Sequence, residues 1–406
     1  MTGPRTLSFG CRLNGAETAA MARLAGMGGA GAETLLVNTC AVTGEAEAQA
    51  RQAIRRAHRD DPALRITVTG CAATIDRTPW AALPGVARVV PNAEKLAPAT
   101  WGASGEEAPL AETGGRTRAM VQVQQGCDHH CTFCVIPQGR GAARSVPAGR
   151  VVATIAALAA GGVAEVVLTG VDIASWGLDL PGAPRLGDLV GAVLDAVPGL
   201  PRLRLSTLDP AAMDETLWRH FAEAPRLLPH LHLSAQHGHD LILKRMRRRH
   251  ARADLLALAA RARRLRPDVA LGADLIAGFP TEDDAAFDAL LALVGEAGLS
   301  FLHVFPYSPR PGTPAARMPQ VPHAVVRARA AALRAAGRDA AERFFAARVG
   351  ATESVLLEAD DRGHSAHFAP VRLARPLPGG RGQMIAAQVT RATEDGLWAE
   401  PLGRAA

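Results

Sequence analysis

The chain has 406 residues, 48% of them hydrophobic, and carries 45 Lys and Arg against 39 Asp and Glu for a net charge of +6. That length has room for two or three domains, each with its own core, and the hydrophobic content excludes a disordered or fibrous chain. The modest positive excess fits a polyanionic partner.

From Arg5 to Asn92 a strand-then-helix pattern repeats. TLSFG runs into Cys11 and is followed by the helical stretch AETAAMARLAG; TLLVNT runs into Cys40 before GEAEAQARQAIRRAHR; RITVTG runs into Cys71. Each of these cysteines closes a short apolar strand. In a parallel α/β sheet the carboxyl ends of neighbouring strands share one edge, where ligands bind. Cys11, Cys40 and Cys71 are therefore candidate ligands of one metal cluster, although free buried cysteines are also common. Gly26-Met-Gly28-Gly-Ala-Gly31 matches G-x-G-x-x-G but follows a helix and precedes a strand, the reverse of a dinucleotide fingerprint, and reads as a turn. Met1 to Gly15 lacks a basic end followed by an apolar core, so no signal peptide is expected and the expected compartment is cytoplasmic.

Residues 98 to 117 lose periodicity and gain Pro, Gly and acids, which predicts a linker. Strands and helices then alternate six times, with strands expected at Ala119 to Gln124, Glu165 to Thr169, Arg202 to Ser206, His230 to Ala235, Ala270 to Ala277 and Phe301 to Phe305. This predicts a parallel sheet, open or curled into a six-stranded partial barrel. The apolar run Val151 to Val171 contains Gly161, Gly162 and Glu165, so it reads as helix, turn and buried strand and not as a membrane span. No membrane partner is expected.

After the first of these strands comes GCDHHCTFCVIPQGRG, which places Cys127, Cys131 and Cys134 in the spacing C-x3-C-x2-C. A cubic 4Fe-4S cluster held by three thiolates keeps one iron free for a cofactor or substrate, and a familiar occupant is S-adenosylmethionine. Zinc remains an alternative if His129 or His130 supplies a fourth ligand, though both lie close in sequence for a tetrahedron. Disulfides are disfavoured in a cytosolic chain.

Between Lys244 and Arg266 there are ten Lys or Arg and one acid, Asp254. This is either a stripe that neutralises phosphates or a solvated helix face. An Ala/Arg-rich helix is expected from Pro322 to about Val349. Short β-like runs follow and predict a small all-β module of four or five strands, either RNA-binding or a packing cap.

Nine stretches in order, SFGCRLNGAET, VNTCAVT, VTGCAA, QQGCDHHCTFCVIPQGRG, EVVLTGVDIASWG, RLRLSTLDP, HLHLSAQHGHDLILKRM, DLIAGFPTE and HVFPYSPRPGTP, resemble the radical-SAM methylthiotransferases over essentially the whole chain. The resemblance implies three domains. Residues 1–105 would be an amino-terminal domain with an auxiliary 4Fe-4S cluster on Cys11, Cys40 and Cys71. Residues 113–345 would be a radical-SAM core with a 4Fe-4S cluster on Cys127, Cys131 and Cys134, and residues 350–406 a TRAM-like β domain. It also implies S-adenosylmethionine as cofactor, with Phe133, Gly170, Asp172 and Gly278 near it. A tRNA substrate would meet Lys244, Arg245, Arg247, Arg248 and Arg249, and a reducing electron donor and a sulfur donor would serve a monomeric enzyme. The start GCRLNGAET looks most like the branch acting on threonylcarbamoyl-adenosine at tRNA position 37, whereas the isopentenyl-adenosine branch tends to read GCQMN and the branch acting on a ribosomal-protein aspartate GCPKN. A non-catalytic iron-sulfur electron carrier is the more distant alternative. Gln138 stands where an aromatic is frequent, and Arg247 and His250 replace the usual Asn and Tyr. His232 and His237 flank a strand end and are assigned no catalytic role.

Overall fold

A computed structural model describes residues 3–105, 111–112 and 117–404. The amino-terminal domain is one parallel sheet, Arg5–Ser8, Thr34–Thr39, Arg65–Gly70 and Val86–Val89, in sequence order. Its central strands are aliphatic and β-branched, and Val37, Ile66 and Val68 pack with Ala50 and Ile54 of the helix Gly44–Asp60. That helix starts where the Thr43 side chain accepts from the Ala46 amide at 3.2 Å, and Glu45 and Glu47 favour its positive end. Each of the three cysteines lies one to three residues beyond a strand: Cys11 caps the helix Arg12–Met27, Cys40 follows Thr39, and Cys71 opens the short helix Cys71–Ile75.

The linker starts later than its composition suggests. Residues Pro98–Trp101 form a 3-10 turn packed on the end of the first helix, so close that a Cβ on Gly28 would lie 1.7 Å from the Trp101 carbonyl oxygen. Gly28 belongs to the Gly-rich run read as a turn, and a turn is what it forms. Much of the rest of the linker, residues 106–110 and 113–116, lies outside the described residues.

The central region follows the expected alternation. Strands Arg118–Gln122, Glu165–Thr169 and Arg202–Leu205 pair in parallel, with the short Ala111–Glu112 antiparallel at the edge. Thr207–Leu208, His230–Gln236, Ala270–Ala277 and Phe301–Pro306 form the second parallel sheet. The chain passes from one sheet to the other at Ser206, giving a wall of six long strands backed by helices. Alternation along Ala270–Ala277 sends Leu271, Ala273 and Leu275 into the helix-covered core and leaves Gly272, Asp274 and Ile276 on the other face. Val151–Val171 resolves into the helix Ala148–Ala160, a turn and the strand Glu165–Thr169. No described helix is long and apolar enough to cross a membrane.

The helix His323–Ala346 leads to a closed five-stranded barrel of Thr352–Ala359, Arg362–Ser365, Pro370–Leu373, Met384–Thr393 and Gly396–Arg404. This barrel docks on the amino-terminal ends of the central strands, the edge opposite the cysteines. Phe368, in a left-handed conformation with φ 68°, lies between the guanidinium groups of Arg118 and Arg204 at 4.9 and 4.8 Å. Its neighbour His367 bridges Asp268 at 2.8 Å and Glu353 at 3.2 Å. Phe368→Ala removes the ring held by both cations and should cost about 2–4 kcal/mol. Denaturation together with faster proteolysis between the long helix and the barrel measures this, and unchanged proteolysis would contradict the docking role.

Candidate functional site

Three of the six cysteines follow a glycine, and all three of those glycines have positive φ: Gly10 at 90°, Gly70 at 102° and Gly126 at 74°. A side chain could not fit there in any case. A Cβ on Gly10 would lie 2.4 Å from the Cys40 sulfur, and one on Gly126 would lie 1.9 Å from the Ala142 carbonyl oxygen. The Gly10 contact places Cys40 directly against the turn that presents Cys11. The Gly-Cys dipeptides were thus a readable signal of tight cysteine loops, which strand-end position alone did not use.

The second triad lies on the loop after Arg118–Gln122, on the same edge as the ends of the other central strands. Its loop is anchored at Thr132, whose amide donates to the Met246 carbonyl at 3.1 Å and whose hydroxyl donates to the Arg245 carbonyl at 2.7 Å. Backbone amides two residues on donate to the sulfurs of Cys40, Cys127 and Cys134, each at 3.4 Å. None of the six cysteines is in a disulfide.

Burial makes Cys40, Cys127 and Cys134 resist ionisation. It pushes Cys127 up to about 12 and Cys134 up to about 11, with neighbouring cysteines adding to the effect, and it raises Cys40 as well. Sulfurs that accept backbone amide hydrogens suit a cationic iron-sulfur core, which would supply positive charge that the loops themselves lack. His129, weighed as a zinc ligand, turns its Nε2 to 2.8 Å from the Asp172 carboxylate.

The two triads adjoin. The helix Ile136–Arg140 begins two residues after Cys134, and a Cβ on its Gly139 would lie 3.0 Å from the Cys71 Cβ. Asn92 donates to the Gly139 carbonyl at 2.6 Å and to the Cys71 sulfur at 3.5 Å. Beneath them lies a buried charge cluster. Glu17 pairs with Lys95 at 2.6 Å and with Arg140 at 2.8 Å. Burial alone would raise the Glu17 carboxyl, but Lys95 and Arg140 outweigh it and hold it at about 2.

The other residues expected near the cofactor fall on this edge with structural contacts of their own. Phe133 packs edge-on against Phe279 with centroids 6.3 Å apart. Gly170 makes room for Gln124, whose side-chain oxygen accepts from the amides of Val171 and Asp172. Asp172 accepts from Ser175 at 2.6 Å. Gly278, at φ 76°, donates to both oxygens of Glu282 and packs on Val326.

The basic stripe does not form one face. Lys244, Arg247 and Arg249 are exposed, and Arg249 also pairs with Asp209 at 3.2 Å. Arg245 is bonded to the Thr281 hydroxyl at 2.6 Å. Arg248 turns inward, to Asp209 at 3.1 Å, the Ser234 carbonyl at 2.9 Å and the Cys131 sulfur at 3.6 Å. Arg263 and Arg266 are spent on backbone carbonyls, and Arg252 on backbone carbonyls and the Glu296 carboxylate at 2.7 Å. Two of the departures from the family pattern have local explanations. Arg247 is the left-handed cap of the helix Asp240–Met246, a position that favours Asn, and His250 is buried and bonded to the Ala235 carbonyl at 3.1 Å. Gln138 is exposed. His232 and His303 both bond Asp274, at 2.9 and 3.1 Å, and His237 bonds Glu282 at 3.0 Å.

Residues 121–294 match the Radical SAM superfamily, and residues 5–90 match an uncharacterized protein family, UPF0004. A threonylcarbamoyladenosine tRNA methylthiotransferase of Rickettsia prowazekii is 43% identical over 385 residues, covering 91% of each chain. The chain belongs to the radical-SAM methylthiotransferase family. A second methylthiotransferase relative, the tRNA-2-methylthio-N(6)-dimethylallyladenosine synthase of Sphingopyxis alaskensis, is 34% identical over 97% of this chain and 96% of that one. Among solved structures, the radical S-adenosylmethionine methyltransferase TsrM from Kitasatospora setae aligns with a TM-score of 0.52 at 16% identity, covering 74% of this chain and 66% of that one, a likeness of fold.

In this methylthiotransferase Glu17→Gln would leave Lys95 buried without its counter-charge and should cost about 3–5 kcal/mol. Chemical denaturation of both proteins checks this, and a loss below about 1 kcal/mol would mean that the pair is not needed to hold the domain.

Proposed function

We propose that the enzyme adds a methylthio group to carbon 2 of N6-threonylcarbamoyladenosine at position 37 of tRNA. The observation that carries this reading is the 43% identity over 91% of the chain to a protein named for that nucleoside, against 38% over 87% and 34% over 97% for two named for the dimethylallyl nucleoside. The start GCRLNGAET, which resembles the threonylcarbamoyl branch, agrees with it.

The aromatic C–H at that carbon is beyond any protein base, so general-base chemistry does not serve. Cys127, Cys131 and Cys134 would hold one 4Fe-4S cluster, which would supply the electron for reductive cleavage of S-adenosylmethionine, and Cys11, Cys40 and Cys71 would hold a second, which would carry the sulfur to be transferred. The chain's own residues do the rest by placement. Arg248 sets a guanidinium nitrogen 3.6 Å from the Cys131 sulfur. Gln124 fixes the Val171–Asp172 turn, and Phe133, Gly170, Asp172 and Gly278 form the rim on which the cofactor would rest.

Lys244, Arg247 and Arg249 are the exposed cations of the stripe that RNA phosphates would meet. The carboxyl-terminal barrel adds Trp398, flanked by Arg372 at 5.7 Å and Arg391 at 4.8 Å, an aromatic and cationic surface of the kind that takes single-stranded bases. A soluble electron donor and a sulfur donor would complete the cycle in the cytoplasm.

Mass spectrometry of tRNA nucleosides from a strain lacking the gene should find the methylthio form of threonylcarbamoyl-adenosine gone and its parent accumulated. Loss of the methylthio isopentenyl nucleoside instead would redirect the assignment to that substrate, and an unchanged profile would redirect it to the ribosomal protein. The reconstituted enzyme should carry about eight irons per chain and Cys40→Ala about four. That variant should still cleave S-adenosylmethionine while forming no methylthio product.

A further inference from the structure

Arg140 stands at the junction of the two cysteine triads. It ends the short helix that starts after Cys134, and its side chain is 2% exposed. One guanidinium nitrogen donates to Glu17 Oε1 at 2.8 Å and Gln125 Oε1 at 2.7 Å; the other donates to Asn14 Oδ1 at 2.6 Å and Glu17 Oε2 at 3.1 Å. Its planar fork is filled on both prongs.

What Arg140 holds leads directly to the other triad. Asn14, accepting from Arg140 through its oxygen, uses its amide nitrogen to donate to the Phe9 carbonyl at 2.9 Å and the Thr39 carbonyl at 3.1 Å. Phe9 is two residues before Cys11 and Thr39 is one before Cys40. A single carboxamide therefore sets both loops. The third loop is held by the residue before Arg140, through the Gly139 carbonyl, Asn92 and Cys71. All three amino-terminal cysteine loops are thus tied to the two residues Gly139 and Arg140 of the radical-SAM loop.

The charges point the same way. Arg140 and Lys95 against Glu17 leave a net positive charge in a fully buried cluster. A buried ion cluster is costly to keep for stability, since an apolar packing of the same volume does as well or better. Fixing one geometry is the use that its four directional bonds serve.

We infer that Arg140 is a positioning residue for methylthio transfer. It holds the amino-terminal triad at a set separation and orientation from the radical-SAM triad, so that sulfur carried at one meets the carbon activated at the other. This rests on the two-cluster reading above. Misplacement by about 1 Å is enough to cost about a hundredfold in a positioned reaction. Without Arg140 the radical would still form, but it would be wasted.

The test uses Arg140→Lys, which keeps the charge but cannot span four acceptors. Wild-type and variant holoenzymes are reconstituted, and iron content, 5'-deoxyadenosine and methylthiolated nucleoside are measured together. Iron content should be unchanged, while the ratio of 5'-deoxyadenosine to methylthio product rises at least about tenfold. The paramagnetic resonance of the reduced enzyme should change through altered coupling between the clusters. A wild-type ratio and spectrum in Arg140→Lys overturn the inference. If that variant cannot hold its clusters, Gln125→Ala decides, because it removes one tether of Arg140 without touching a cysteine: a ratio raised about threefold supports positioning, and an unchanged one overturns it. A wild-type enzyme with only about four irons would instead overturn the two-cluster reading.

Discussion

Parallel strands end on a common edge, and that constraint assembles this site. Cys11, Cys40 and Cys71 are far apart in sequence, yet each falls one to three residues beyond a strand of one sheet, and the register of pairing sets them side by side. The same rule puts the Gly126–Val135 loop, the Val171–Asp172 turn and Gly278 on one rim of the central wall. Two sheets with independent cores then need only to be brought edge to edge.

A buried charge cluster performs that joining, which is unusual because domain contacts are ordinarily polar and wet. Removing Glu17, Lys95 and Arg140 from water is unfavourable, and Arg140 recovers its cost only while both domains are in place. Separation would leave Arg140 without its counter-charge, whereas Glu17 would keep Lys95. The interface therefore tolerates little sliding.

Much of this was legible in the sequence. Strand Ala270–Ala277 has the expected bounds, and Glu165–Thr169 does too, because a short apolar run between turn residues has few other ways to bury itself. The two cysteine sets were readable from spacing and from strand ends. The basic stripe was not: composition counts charges, whereas Arg248, Arg252, Arg263 and Arg266 are long enough to turn inward to carboxylates and carbonyls. Asn14, Glu17, Asn92, Lys95 and Arg140 also escaped notice, because their partners lie up to 126 residues away and no local pattern marks a long-range hydrogen bond. The linker start was misplaced for a related reason, since Trp101 anchors a Pro- and Gly-rich segment by packing on a distant helix.

The docking of the carboxyl-terminal barrel through Phe368 and His367 sets a length scale for recognition. The barrel holds the starts of the central strands and the cysteines lie past their ends, so a nucleic acid that touches both must run along the wall. For an eight-residue strand such as Ala270–Ala277 that height is roughly 25 Å. The docking therefore fixes the barrel and the cysteine edge at opposite ends of the wall, a full strand length apart.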